Sequence, residues 1–209
     1  MPIVIPASRC VNRFGSRPRN RVDGPGTQAR STRHPSAILS GMALSDERND
    51  LLSALEKHRG FLRQTLAGIT DEEAARRTTV SELCLGGIVK HVTQVERGWV
   101  GFIQRGPEAM GGGYDEAAIQ AHADGFRMLD GDTVSGLLEQ YANASAQTAQ
   151  IVEGLPSLDV AHPLPEAPWF ERADWTARRV LLHILAETAQ HAGHADIIRE
   201  AIDGAKTMG

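Results

Sequence analysis

The chain has 209 residues, of which 41% are hydrophobic and 23% charged, and its formal net charge is −4. These values fit one globular domain with a sizeable core, and the lack of any run of 18 apolar residues excludes a transmembrane segment. The two cysteines, Cys10 and Cys84, are too few for the disulfide framework of a small secreted domain. We therefore expect a reducing, cytoplasmic setting.

Residues 1–41 differ in composition from the rest of the chain. They contain seven arginines and one acidic residue, Asp23, for a net charge of +6, whereas the remainder holds 15 basic and 25 acidic residues, for a net charge of −10. Their Pro, Gly and Ser content and their lack of periodicity predict a disordered basic arm before a folded domain at 42–209. The arm could contact nucleic acid or act in targeting. Alternatively, Met42 is the natural start and the arm is translated upstream sequence.

Apolar residues at helical spacing predict four long helices. Their expected bounds are about 45–67, 79 or 81 to 106, 133–155 and 174–204. A short helical turn is predicted at residues 71–77, with Thr70 as its N-cap, and Thr133 or Asp132 should cap the third long helix. Residues 114–130 read as a connector or short helix, and no role is assigned to His122 there. No strand is predicted, so the fold class is all-α, a four-helix bundle.

The second long helix carries His91 inside its apolar stripe. With His91 at the origin of a helical wheel, Ile88 and Trp99 fall within about 80° of it. Lys90 and Arg97 fall on the opposite side of the helix. A lone histidine in such a stripe is more often a core residue than a metal ligand, so His91 needs a partner before it indicates a site.

The last helix places a second candidate pair, Glu187 and His191, four residues apart. On the wheel both fall in the middle of the apolar stripe that Ile184 and Ile198 define, and the spacing brings both side chains over one spot. A buried carboxylate without a partner is strongly unfavourable, and a bound cation would offset that cost. His183 and His194 fall on the flank of the stripe. The pair is part of a metal site or a satisfied buried pair, or else the buried face of the helix is wrongly assigned.

His91, Glu187 and His191 together form a set of two histidines and one carboxylate from two helices. Such a set suits a catalytic metal site with an open position better than a closed structural site, and bundle cores commonly hold sites of this kind. Cys84 lies two turns before His91, but a buried free cysteine is ordinarily a packing residue. It is left out of the predicted set.

The segments IVKHVTQVERGW and ETAQHAGHADIIREAIDG resemble the DinB-like superfamily of metal-binding four-helix bundles. The resemblance covers about Leu44 to Gly204 and is strongest to the mini-circle protein branch, which is related to the metal-binding domain of mycothiol-dependent maleylpyruvate isomerase. It implies an up-down-down-up bundle and a divalent metal, expected to be zinc, held by His91, Glu187 and His191. Many relatives have a histidine where this chain has Glu187. The arm has no counterpart in the superfamily.

Two interpretations of the function remain open at this point. The first, implied by the resemblance, is a metal-dependent transferase or isomerase that uses mycothiol or another low-molecular-weight thiol and acts on small electrophiles. The second is a non-catalytic, stress-associated bundle that binds a metal or a ligand. Four aromatic residues are expected to line the mouth of the site: Trp99, Trp169, Phe170 and Trp175. We expect no membrane partner and do not favour a nucleic-acid partner, and a homodimer remains open.

Overall fold

The computed structural model describes the backbone of residues 36–111, 116–167, 170 and 172–207, and the side chains among them from residue 46 onward. Within these residues the chain forms six α-helices, a 3-10 turn and a two-stranded ribbon. The helices are α1 (Ser36–Gln64), α2 (Asp71–Ala74), α3 (Leu85–Arg105), α4 (Glu116–Asp124), α5 (Val134–Gly154) and α6 (Ala177–Asp203), the 3-10 turn is Gly106–Met110, and the strands are β1 (Ala161–Pro163) and β2 (Asp174–Thr176). The all-α fold class is confirmed. Among the described helices, none is both long and apolar enough to cross a membrane.

Local capping groups begin several helices where the sequence predicts them. The Thr70 hydroxyl accepts from Glu73 N while the Glu73 carboxylate accepts from Thr70 N, a reciprocal capping box that starts α2. Thr133 Oγ1 accepts a hydrogen bond from Gly136 N at 3.1 Å and starts α5. The predicted N-cap Thr70 is therefore confirmed, and of the two candidates Thr133 and Asp132 the structure selects Thr133.

The predicted start of the last helix at Asp174 is wrong, because residues 174–176 form strand β2. This strand pairs antiparallel with β1 and sets His162 opposite Trp175. Helix α6 then begins at Ala177, where the Thr176 hydroxyl accepts from Arg179 N. The same ribbon corrects the prediction that the chain contains no strand.

Two further helix starts differ from prediction. Helix α3 begins at Leu85 rather than at Thr79 or Ser81, because the Thr79 and Ser81 hydroxyls accept from nearby backbone N–H groups and hold that stretch as turns. Helix α1 begins at Ser36, so residues 36–41 are helical although the sequence predicts them as part of the arm. The rest of the predicted arm, residues 1–35, lies outside the described residues.

The four long helices contact one another in a closed ring, in the order α1, α6, α3, α5 and back to α1. Their buried side chains form two apolar clusters. One cluster includes Leu62, Leu85 and Ile198, and the other includes Phe102 and Ile184. The core is thus divided into two parts along the length of the helices.

Buried polar side chains occupy the level between the two apolar clusters. Arg59 of α1 is 2% exposed and Glu96 of α3 is fully buried. Arg59 Nε donates to Glu96 Oε2 at 3.2 Å, a second guanidinium nitrogen contacts Glu96 Oε1, and the Thr148 hydroxyl of α5 also donates to that oxygen. Thr188 of α6 is likewise buried. We call Arg59, Glu96, Thr148 and Thr188 the polar layer.

Candidate metal centre

Helices α3 and α6 bring His91, Glu187 and His191 together beside the polar layer. One possible ligand atom from each residue lies within 4.8 Å of the other two. A search of the described residues for His, Cys, Asp and Glu side chains that meet in this way finds this group. The His91 and His191 rings are 4.9 Å apart between centroids and stand edge to face. His191 Nε2 lies 3.6 Å from Glu187 Oε2. The three residues that the sequence analysis selected therefore share one location.

The predicted burial of the set holds for the histidines and fails for the carboxylate. His91 is 8% exposed and the His191 side chain 12%, whereas the Glu187 side chain is 30% exposed. The buried face of α6 runs through Ile184, Thr188 and Ala195, which puts Glu187 on its flank rather than in its middle. Solvent therefore reaches the site from the Glu187 side.

His91 is held as a neutral imidazole. Burial, reinforced by the neighbouring His191, lowers its pKa from the ordinary value of 6.5 to about 3, and the Glu187 carboxylate offsets this only in part. Phe126 stacks on the His91 ring with 3.9 Å between centroids and 22° between planes. A neutral, sterically fixed imidazole keeps a lone pair available at neutral pH, which is what a metal ligand requires.

The Glu187 carboxylate lies between two histidines of its own helix. Its Oε2 faces His191, and its Oε1 lies 4.0 Å from His183 Nε2. The polar contact with His191 lowers the pKa of Glu187, burial opposes that effect, and His183 adds a smaller lowering contribution. Glu187 is thus an anion at neutral pH, with each oxygen facing an imidazole.

Aromatic side chains flank the site on the His183 side. Trp99 and Trp175 stack with 5.0 Å between ring centroids, and the His183 ring stands edge-on to both at 4.8 and 5.3 Å. Phe170 lies 6.1 Å from Trp99. Three of the four predicted mouth residues are therefore clustered around Trp99, and Trp169 falls outside the described residues.

One histidine near His91, Glu187 and His191 was not predicted from the sequence. His122 of α4, to which no role was assigned, lies 6.1 Å from the His91 ring and 5.4 Å from Phe126. No periodicity could have indicated this, because α4 has no buried face. His194, predicted at the edge of the stripe, is half-buried with its ring 5.4 Å from His191.

The residues present fit a divalent cation. Two neutral-capable imidazoles and a carboxylate are a common donor set for zinc and related ions. His191 Nδ1 is buried and has no hydrogen-bond partner among the described residues. This ring therefore has a nitrogen whose polar interaction the described residues do not supply. Zinc bonds of about 2.1 Å hold ligand atoms roughly 3.4 Å apart. The ligand atoms would have to approach one another by up to about 1.4 Å, which rotamer adjustments can supply.

Comparison with known proteins adds three findings. The family model for mycothiol-S-transferase matches residues 50–204. A crystal structure titled as the conserved protein of locus from Enterococcus faecalis is similar in fold, with a TM-score of 0.53 and 14% sequence identity over 75% of this chain and 97% of that chain. No curated protein sequence matches significantly. The family match confirms the predicted resemblance to DinB-like proteins.

Proposed function

The chain belongs to the mycothiol-S-transferase family, and from that premise we propose that it is a metal-dependent enzyme that transfers a mycothiol-type thiol to small electrophiles. The observation that carries the proposal is the meeting of His91, Glu187 and His191 within 4.8 Å at a partly open position between two helices. Two observations support this chemistry. The family is named for a thiol, and the three side chains are a donor set that suits a divalent cation.

In the proposed mechanism, His91, Glu187 and His191 would hold the cation, which we propose to be zinc. Such a cation, when bound, would supply the positive charge that lowers the pKa of a thiol beside it. His91 contributes a neutral nitrogen because burial keeps its pKa low, and Glu187 contributes the negative charge. The 30% exposure of Glu187 leaves a path for the thiol from solvent. Trp175 and His183 border that path and are suited to contact the apolar part of an electrophile.

We further propose that the four long helices form an up-down-down-up bundle. The closed ring of contacts between α1, α6, α3 and α5 supports this arrangement, as does the similarity in fold to the Enterococcus faecalis protein. A reducing, cytoplasmic setting is part of the proposal, since the chemistry uses a free thiol. Cys84 is itself a free, buried thiol.

The proposal is tested by incubating the zinc-loaded protein with mycothiol and a chromogenic aryl halide. The expected reaction forms a carbon–sulfur bond, breaks the carbon–halogen bond and releases halide and the thiol proton. Glu187→Gln should abolish it, whereas Glu139→Gln, which changes an exposed acid of α5, should leave it intact. Zinc binding without turnover of any thiol and electrophile pair would instead favour a non-catalytic metal-binding protein.

A further inference from the structure

His122 lies next to the proposed metal site on a helix that buries none of its residues. Every residue of α4 is exposed or half-exposed, and His122 itself is exposed. Its ring is nevertheless 6.1 Å from His91 and perpendicular to it, with 85° between the planes. The position of this histidine must therefore be set by the turn at the end of α4 rather than by packing of α4 itself.

The turn after α4 is fastened to α3 close to His91. A Cβ at Gly87 would collide with the Phe126 carbonyl, so glycine is the residue that allows this turn to approach the helix. Lys90 Nζ donates to the Arg127 carbonyl at 3.4 Å and pairs with Asp132 at 2.7 Å. Gly87 is one helical turn before His91, so the contact places Phe126 on the His91 ring.

This attachment also fixes where His122 can be. His122 is one helical turn before Phe126, and the helical hydrogen bonds continue through Gly125 N to the Ala121 carbonyl at 3.0 Å. His122 is consequently held above His91, whereas the exposed helix that carries it can shift without disrupting buried contacts. His122 therefore stays close to His91 but can move by a small distance.

The distances are close to those of a shared ion. Two imidazoles on one tetrahedral zinc, with Zn–N bonds of about 2.1 Å, have ring centres roughly 5 Å apart. His91 and His191 already meet that separation at 4.9 Å. His122 lies 6.1 Å from His91 and outside the group of three that meets within 4.8 Å, so it has to approach His91 by at least about 1 Å. A histidine with this placement can act as a ligand to an ion that the other residues hold.

We propose that His122 is a fourth, exchangeable ligand that occupies the position left open by His91, Glu187 and His191 until a thiol displaces it. The inference rests on the proposed function, since it requires an ion held by those three residues. In the exchange, the bond from the His122 nitrogen breaks, a bond from the thiol sulfur forms, and the thiol proton passes to solvent. The oxidation state of every atom is unchanged.

The test compares His122→Ala with Ile119→Ala, a control on the same helix whose side chain is 60% exposed. Zinc affinity is measured by competition with a chromophoric chelator, and the coordination sphere is followed by the visible absorption of the cobalt-substituted protein. His122→Ala should weaken zinc binding by about tenfold or more and change the cobalt spectrum. Ile119→Ala should match the unsubstituted protein in both.

The outcomes separate this inference from the proposed function. Unchanged zinc affinity and an unchanged cobalt spectrum in His122→Ala would overturn the inference alone. Equal changes in both variants would also overturn it, because they would trace the effect to the helix rather than to the imidazole. A protein without substitutions that binds no zinc or cobalt at this site would overturn the proposed function and the inference with it.

Discussion

Glu187 combines a ligand's position with substantial contact to solvent. Its side chain is 30% exposed, and its two oxygens face His191 at 3.6 Å and His183 at 4.0 Å. The folded protein can accommodate this carboxylate without a metal, because water and two imidazoles already stabilise its charge. We therefore expect substitution of Glu187 to change metal affinity more than the free energy of unfolding.

Substitution at Glu187 should distinguish a ligand from a neighbour. We expect Glu187→Gln to reduce metal affinity sharply, since a neutral amide is a poor ligand and removes the balancing charge. His194→Ala should retain the metal, because three other side chains already meet within 4.8 Å and His194 lies at the edge of the buried face of α6. Metal content after dialysis measures both. Retention in Glu187→Gln combined with loss in His194→Ala would make His91, His191 and His194 the ligands.

The pH dependence of the metal-free protein should carry a signature of His91. Its pKa in the folded protein is about 3, below the ordinary 6.5, so between these values the unfolded chain binds a proton that the folded chain does not. The free energy of unfolding should therefore decrease as the pH falls below about 6.5, and His91 should have no such effect above it. Melting temperatures of the protein and of His91→Gln, measured from about pH 7.5 to 5, should converge or cross as the pH falls. Parallel curves would contradict the assignment.

Sequence periodicity located the two helices that carry the proposed ligands but not the exposure of each of these residues. His91 and His191 could be identified because a histidine inside a helical apolar stripe is evident from 3.6-residue spacing. The half-exposed state of Glu187 could not, because a wheel shows which residues share a face and not how far the neighbouring helix covers it. His122 reaches the site through a tertiary contact at Gly87, which no local pattern encodes.

At the scale of the helices, the polar layer connects three elements through one carboxylate. Glu96 of α3 receives hydrogen bonds from Arg59 of α1 and from Thr148 of α5. Apolar clusters lie on both sides of this level, so the bonds form where water is excluded. The layer fixes how α1, α3 and α5 are aligned along their axes, since sliding one helix would break a hydrogen bond to the buried Glu96 carboxylate.

Breaking this buried ion pair should destabilise the protein strongly. Arg59→Met leaves Glu96 buried without its guanidinium partner, and a loss of about 3–5 kcal/mol in the free energy of unfolding is expected. Adding Glu96→Leu should recover much of that loss, because it removes the unpaired charge. Denaturant unfolding of the two variants measures the difference. If the double variant is no more stable than Arg59→Met, the unpaired charge of Glu96 is not the cause of the loss. The pair would then stabilise the fold through its other contacts.

The elements themselves were predictable where local chemistry decides them. Thr70 and Thr133 are caps that depend on groups three residues away, and both were identified from the sequence. The β1–β2 ribbon depends on residues 161–163 meeting residues 174–176, a non-local pairing. The burial of Arg59 likewise depends on Glu96, which lies 37 positions further along the chain.

At the scale of the whole molecule, polar contacts of residues after Met42 attach the first helix to the rest of the bundle. Arg178 Nη2 donates to Glu47 at 3.1 Å, and Arg48 donates to the Leu155 carbonyl. These bonds attach α1 to α6 and to the end of α5. Both contacts involve residues that a protein beginning at Met42 retains.

A protein that begins at Met42 should accordingly match the full chain in melting temperature, to within about 2 °C, and in metal content. Calorimetry and metal analysis of both proteins test this. A loss of several degrees would show that residues 1–41 pack on the bundle. Nucleic-acid binding by the full chain that disappears on truncation would instead assign a function to its charge of +6.

The stacked tryptophans give the molecule an intrinsic optical reporter. Trp99 and Trp175 are two of the three tryptophans in the chain, and the His183 ring that touches both is 4.0 Å from the Glu187 carboxylate. Indole fluorescence is quenched over such short separations by a paramagnetic ion and not by a closed-shell one. Cobalt bound at this site should therefore reduce the tryptophan emission, and zinc that displaces the cobalt should restore it. The occupancy of the metal site can then be followed over time without an attached dye.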